Sequence, residues 1–193
     1  MQKSERGLMI GRFQPFHRGH LYLVQQILSE CNELVIAIGS SQFNYTFSNP
    51  FTAGERIHMI HEALVEENVS LDKVYIIPIP NSENNSIWLQ HLKSMVPKFN
   101  VLYTGNAFVK GLVIGDENVQ IKNPDFLEEG MYNGTHIRTC IVSNKNWKKL
   151  VPNSVYRMIN RMDGISRVRM LYETQGISEL RSEIDVRDYP NIK

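Results

Sequence analysis

A short apolar run, Gly7 to Ile10, passes directly into the loop Gly11-Arg12-Phe13-Gln14-Pro15-Phe16-His17-Arg18-Gly19-His20, and an amphipathic stretch from Leu21 to Leu28 follows. Strand, tight loop and helix start in that order constrain the fold more than any other segment. In an open α/β sheet the start of such a helix holds phosphate, because its first N–H groups lack intrahelical partners and the dipole end there is positive. The loop adds two histidines, two arginines and glycines where backbone comes close to a ligand. It predicts a polyphosphate-binding turn at the carboxyl end of the first strand.

The chain repeats this alternation. Leu34-Val35-Ile36-Ala37-Ile38 is continuously apolar, as in a strand buried on both faces of a parallel sheet, and Gly39-Ser40-Ser41 ends it. Thr52-Ala53-Gly54-Glu55 reads as a capping box, with Thr52 at the N-cap and Glu55 at N3, opening a helix that buries Ile57, Met59, Ile60 and Leu64. A third strand covers Val74 to Pro80, and its prolines either stop it near Ile77 or place it towards an edge. The polar loop Asn81 to Ser86 leads into a helix over Ile87 to Met95. Val101 to Thr104 forms a fourth strand closed by Gly105-Asn106, and a fifth runs near Val119 to Ile121. Helix follows from Thr135, through Trp147 to Val151 and Val155 to Met162, and then from Ile165 before a frayed tail ending at Lys193. The expected class is α/β, a doubly wound, Rossmann-like parallel sheet with ligands at the carboxyl ends of its strands. One domain is expected over residues 1–170, with a C-terminal extension over 171–193 that is helical or frayed.

The 193 residues are 42% hydrophobic, enough for one such core. Lys+Arg of 21 against Asp+Glu of 20 leaves +1, so there is no basic excess for a nucleic-acid backbone. Cys31 and Cys140 lie far apart and make no C-x-x-C pair, which argues against a disulfide framework and against structural zinc. The segment Met1 to Arg6 has no apolar h-region behind its charges, and no run nears the about 20 apolar residues of a membrane span. A cytoplasmic protein with no membrane or nucleic-acid partner is expected.

His17 and His20 are three apart, so on an opening helical turn they share a face. Gly19 between them removes a Cβ where phosphate oxygens would approach backbone N–H groups. Imidazole N–H donors at a helix N-terminus can bind anionic oxygens and stabilise charge that develops in phosphoryl transfer. Ordinary surface or core histidines are the bland alternative. A metal pair is another, but helical ligand pairs favour i, i+4 spacing and need a third ligand that nothing nearby supplies. No metal ligands are named.

The run Gly11 to His20 resembles the H-x-G-H signature of the nucleotidyltransferase superfamily. Ile38-Gly39-Ser40-Ser41-Gln42, Asn49-Pro50-Phe51-Thr52-Ala53-Gly54-Glu55-Arg56, Asn85-Ser86-Ile87-Trp88, Tyr103-Thr104-Gly105-Asn106 and Gly134-Thr135-His136-Ile137-Arg138 then follow in the order of archaeal-type nicotinamide-nucleotide adenylyltransferases. Leu150-Val151-Pro152 and Asp163-Gly164-Ile165 extend the likeness over roughly residues 6–170. It implies that nicotinamide mononucleotide attacks the α-phosphate of ATP in line, giving NAD and pyrophosphate. It implies that His17, His20 and Arg138 stabilise the reacting phosphates, and that Arg12, Phe13, Gln14, Gly19, Gly134 and Thr135 hold ATP. Gly39, Ser40, Ser41, Asn85 and Trp88 would line the mononucleotide side, with the Trp88 indole stacked on the cationic ring; simple core packing is the commoner fate of a tryptophan at such a position. Mg²⁺ would arrive with ATP rather than in a protein cage. A homo-oligomer, often a hexamer, is implied as well.

The same phosphate machinery would serve an adenylyltransferase acting on phosphopantetheine or a flavin mononucleotide, or a catalytically silent nucleotide-binding protein. Departures from the family pattern are local. Asn133 stands before Gly134 where serine is usual, His136 replaces an acidic residue, and Asn44-Tyr45 and Ser48 occupy positions where Ser-His and a basic residue are common. Arg56 has no assigned role, and His58, His61 and His91 read as structural or solvent-facing.

Overall fold

Alternating strands and helices build a single five-stranded sheet, all parallel, in the order β3-β2-β1-β4-β5. A computed structural model describes residues 4–82, 84–125 and 130–176. The strands are β1 (Ser4–Gly11), β2 (Cys31–Ile38), β3 (Val74–Pro78), β4 (Val101–Tyr103) and β5 (Gln120–Lys122). The helices are α1 (Arg18–Glu30), α2 (Ala53–Glu66), α3 (Trp88–Met95), α4 (Ala107–Val113), α5 (Gly134–Val142), α6 (Asn153–Arg161) and α7 (Gly164–Leu171).

Strand side chains alternate faces, so the sheet divides the core in two. Met9, Leu34, Ile36 and Ile38 join α1, α2 and α5 to α7 on one side; Leu8, Val35 and Ala37 meet Leu89, Leu92 and Val113 on the other. From β1 the chain builds outward to β2 and β3, then returns to place β4 on the opposite flank. The crevice at that reversal, beyond the carboxyl ends of the strands, is where this architecture binds ligands.

Several expected boundaries move. The α1 helix begins at Arg18 rather than Leu21, because His17 caps it. The third strand is an edge strand and stops at Pro78. The fifth strand starts one residue late, at Gln120. In α2 the Thr52–Glu55 capping box forms, but Ile57 is only half-buried and Arg56 is buried instead. The α4 helix was not anticipated; Asn106 starts it by accepting the N–H groups of Phe108 and Val109. Beyond α7 the chain runs on as a π-helical turn, Tyr172–Gly176, whose Tyr172 ring meets Phe47 edge-on, while residues 177–193 of the expected extension lie outside the described residues. Among the described residues no helix is long and apolar enough to cross a membrane.

Candidate active site

Two helix N-termini open into one cavity of about 300 Å³, lined by Arg12, Phe13, Gln14, His17, Gly19, His20, Leu23, Asp125, Tyr132, Asn133, Gly134, Thr135 and Arg138. The first belongs to α1, whose cap is a reciprocal pair of histidines. His17 Nδ1 accepts the His20 backbone N–H at 3.3 Å, and His20 Nδ1 accepts the His17 backbone N–H at 3.2 Å. This is the capping-box arrangement with imidazoles replacing the usual hydroxyl and carboxylate. The rings stack at 3.5 Å between centroids, and Phe13 and Phe16 support His20 from behind.

The cap determines what the histidines can donate. With each Nδ1 accepting a backbone N–H, each neutral ring carries its proton on Nε2 and offers one donor. Burial lowers the His17 imidazole from 6.5 to about 3; burial, and secondarily the neighbouring His17, holds His20 well below the usual histidine range. The rings are therefore neutral donors near pH 7.

That neutrality gives a pH prediction with a definite sign. The unfolded rings titrate near 6.5 while the folded ones stay neutral, so the unfolded state binds more protons as pH falls below 6.5. Stability is complete above that value and is lost towards acid, by up to about 1.4 kcal/mol per pH unit for each ring. His17→Asn keeps a good capping group and removes one titrating ring. The ligand-free variant should lose less melting temperature between about pH 6.5 and about pH 5 than the parent, and equal slopes would reject the assignment.

The second helix N-terminus is that of α5. Asn133 accepts the His136 N–H at 2.7 Å, so the serine-to-asparagine departure leaves the cap intact. Gly134 is required for close approach, since a Cβ there would stand 2.9 Å from the Gln14 carbonyl oxygen. Arg138 is not a surface residue: it is 1% exposed, donating to the Gln14 carbonyl at 3.0 Å and to Thr135 Oγ1 at 3.2 Å, with its guanidinium 5.4 Å from the Phe47 ring centroid. The late helix is thereby locked to the first loop across 124 residues of sequence.

Other expected residues have altered parts. The Gln14 side chain is committed to Phe51, donating to its carbonyl and accepting its N–H, and the Gln14 carbonyl is committed to Arg138, so Gln14 shapes the loop. A Cβ at Gly19 would come within 2.9 Å of Tyr132 Cβ, so that glycine also admits Tyr132 to the wall of the cavity. Phe13 holds φ 53 with its ring over Gly11. Leu23, Asp125 and Tyr132 line the cavity without having been singled out in the sequence; of these, only Leu23 had a legible signal, lying one turn beyond His20 on the same helix face.

Gly39, Ser40, Ser41, Asn85 and Trp88 do not line this cavity. Gly39 to Ser41 lie beyond the end of β2, where Ser40 Oγ donates to Asn81 Oδ1 at 3.1 Å. Asn85 is exposed in the turn preceding α3, and Trp88 is half-buried against the apolar cluster containing Leu89 and Leu92. The packing alternative weighed for Trp88 thus accounts for part of its surface. The His91 ring nitrogen lies 3.0 Å from the Pro80 carbonyl, tying α3 to the end of β3. Arg167 faces the loop that carries Ser48, 4.9 Å from the Tyr45 ring centroid, and is paired with Glu55 at 2.8 Å. Exposed His136 lies 3.6 Å from Cys140 Sγ.

A parallel sheet with a reversal at β1, and two helix N-termini facing one cavity there, define an α/β protein whose site is arranged as anion-binding sites are. Residues 8–166 match the cytidylyltransferase-like family, and the chain belongs to that family. The nicotinamide-nucleotide adenylyltransferase of Caldivirga maquilingensis is 46% identical over 167 residues, covering 86% of this chain and 93% of the relative. The Methanococcus aeolicus protein of the same name is 41% identical, covering 86% and 94%. A bifunctional NMN adenylyltransferase/ADP ribose pyrophosphatase from Francisella tularensis, solved with AMP and a Mn ion, has the same fold, with a TM-score of 0.77 at 19% identity. That likeness covers 98% of this chain but 58% of the Francisella protein, so the chain spans little more than half its length.

Proposed function

We propose that the chain is an adenylyltransferase that joins nicotinamide mononucleotide to the AMP moiety of ATP, giving NAD and pyrophosphate. The observation that carries this reading is the convergence of His17, His20, Arg12, Arg138 and two helix N-termini on one cavity. Relatives at 46% and 41% identity that bear the activity's name support the acceptor.

The mononucleotide phosphate attacks the α-phosphorus in line; its P–O bond forms as the bond to the pyrophosphate oxygen breaks. The second ionisation of such a phosphate lies near about 6, so the nucleophile needs no protein base. Catalysis is then positioning and neutralisation of charge. The Nε2–H groups of His17 and His20 donate to the α-phosphate oxygens as charge builds. The N–H groups at Gly19, Gly134 and Thr135, with the backbone of Phe13 and the exposed Arg12, hold the triphosphate, while Arg138 receives the leaving pyrophosphate. Among the described residues no cluster of metal-binding side chains occurs, and Asp125 is the carboxylate that faces the cavity. A divalent ion, Mg²⁺ in the expected case, would enter on the ATP phosphates and neutralise part of their charge.

Gly39, Ser40, Ser41, Asn85 and Trp88 receive the acceptor. Trp88→Ala should raise the KM for the mononucleotide about tenfold, as loss of a stacked cation worth about 1–2 kcal/mol implies, with the KM for ATP nearly unchanged. An equal effect on both would leave Trp88 a packing residue.

The direct test incubates the protein with ATP, Mg²⁺ and a panel of acceptors: nicotinamide mononucleotide, nicotinic acid mononucleotide, phosphopantetheine and flavin mononucleotide. Pyrophosphate and NAD should form with the first. Turnover confined to another acceptor would reassign the substrate, and ATP binding with no turnover would make the chain a silent nucleotide-binding protein. Light scattering on the same sample reads the expected homo-oligomer, and we place the reaction in the cytoplasm.

A further inference from the structure

Arg56 is 0% exposed, yet it lines no part of the cavity. A guanidinium has five N–H donors, and here each finds a main-chain carbonyl. Nε donates to Thr52 at 3.3 Å, one terminal nitrogen to Arg12 and Gly39, both at 3.0 Å, and the other to Ser40 at 3.2 Å and Ser41 at 3.4 Å. Such saturation is what allows a cation to be buried at all. Burial, then the nearby Arg12, lowers it to about 10, so it stays charged near pH 7.

The carbonyls it gathers come from two loops with different tasks. The Arg12 carbonyl belongs to the loop facing the triphosphate, and those of Gly39 to Ser41 belong to the acceptor side. Just beyond the last paired residues of β1 and β2, Gly11 and Ile38, the Gly39 N–H donates to the Gly11 carbonyl at 2.9 Å, and the guanidinium continues the connection to the Arg12 and Gly39 carbonyls. Both loops also hold a non-glycine residue in the left-handed region, Phe13 at φ 53 and Ser40 at φ 51. Such a residue costs about 1–3 kcal/mol and persists only where its surroundings over-determine it. Arg56 grips the carbonyl before Phe13 and those on either side of Ser40.

We propose that Arg56 is a positioning residue whose planar fork sets the separation of the Arg12 loop from the Gly39–Ser41 loop, and so aligns the attacking phosphate with the α-phosphorus. The proposal rests on the function proposed above for the two loops. A misplacement of about 1 Å is enough to cost about 100-fold in rate, and nothing in this role requires Arg56 to touch either substrate.

Lysine keeps the charge but has three donors on one atom, so it cannot span both loops. In Arg56→Lys, kcat should fall about 100-fold, while calorimetric Kd values for ATP alone and for nicotinamide mononucleotide alone stay within about threefold. NAD touches both loops at once, and its affinity should fall by about tenfold or more, because a bridging ligand depends on how its two sites are spaced. Arg56→Gln, which keeps two donors, should show the same pattern. Parallel losses for all three ligands, or a drop in kcat that only matches the unfolded fraction by circular dichroism, would overturn the proposal. So would failure of both variants to fold, which would make Arg56 a residue of the fold alone. The binding comparison needs no turnover. A parent protein that adenylylates a different acceptor defeats the proposed substrate while Arg56 is judged on that acceptor and its product, and a parent that binds ATP without turnover is judged on the three affinities.

Discussion

His20→Asn is expected to lower turnover by about 100- to 1,000-fold, the usual cost of removing one preorganised donor from a developing oxyanion. The asparagine Oδ1 falls near the position of histidine Nδ1, so it can still accept the His17 N–H and preserve the reciprocal cap at the start of α1. What it lacks is Nε2–H. Loss of the ring also removes the stack on His17 and the contacts with Phe13 and Phe16, so a modest stability loss of about 1 kcal/mol accompanies the change. His20→Gln makes the converse exchange, placing an amide N–H near Nε2 and giving up the cap. It should recover at least about tenfold of the turnover lost in the asparagine variant, since a misaligned donor still serves part of the purpose. Steady-state rates at saturating substrates, with melting curves for each variant, separate the two effects. Near-normal turnover in His20→Asn, or a glutamine variant no better than the asparagine one, would remove Nε2–H from the mechanism.

How much of this is legible in the sequence depends on whether the signal is local. The continuous apolar run Leu34 to Ile38 reads as a doubly covered parallel strand, and it is an interior strand of the sheet, between β3 and the central β1. The spacing of His17 and His20 put both rings on one face; that they cap each other, and so carry their protons on Nε2, depends on rotamers that spacing does not encode. The α4 helix is hard to read from sequence because Ala107 to Val113 is short, contains Gly111 and leaves Phe108 exposed; its signal is Asn106, which reads equally well as the end of a strand. Arg56 was illegible for a stronger reason. A charged residue in the first turns of a helix usually points to solvent, and apart from the local Thr52 carbonyl its actual partners come from two separate loops that meet only when the sheet has formed. Gly134 is similar: its need for close approach comes from the Gln14 carbonyl, far away in sequence. Local patterns therefore located the phosphate turn, and tertiary convergence decided which residues hold it in shape.

The second large effect concerns that convergence. Arg138→Lys should reduce turnover about 100-fold and weaken product inhibition by pyrophosphate about tenfold or more, while the KM for the mononucleotide changes little. The guanidinium here is held on three sides, by the Gln14 carbonyl, the Thr135 hydroxyl and the Phe47 ring. A lysine ammonium is a compact point charge that cannot donate in two fixed directions while lying flat on an aromatic face. It would also leave the Gln14 carbonyl without the donor that joins the first loop to α5, and a buried carbonyl stripped of its partner costs about 1–3 kcal/mol. Two consequences should therefore appear together: a lower melting temperature in the ligand-free protein, and a loss of pyrophosphate affinity that saturating ATP does not repair. Pyrophosphate is the decisive probe because it reports on the leaving group alone, without the nucleoside contacts that would mask a weakened phosphate site. A variant that keeps the parent's pyrophosphate inhibition constant but turns over slowly would move Arg138 from the leaving-group side to a purely structural tie between the first loop and the late helix.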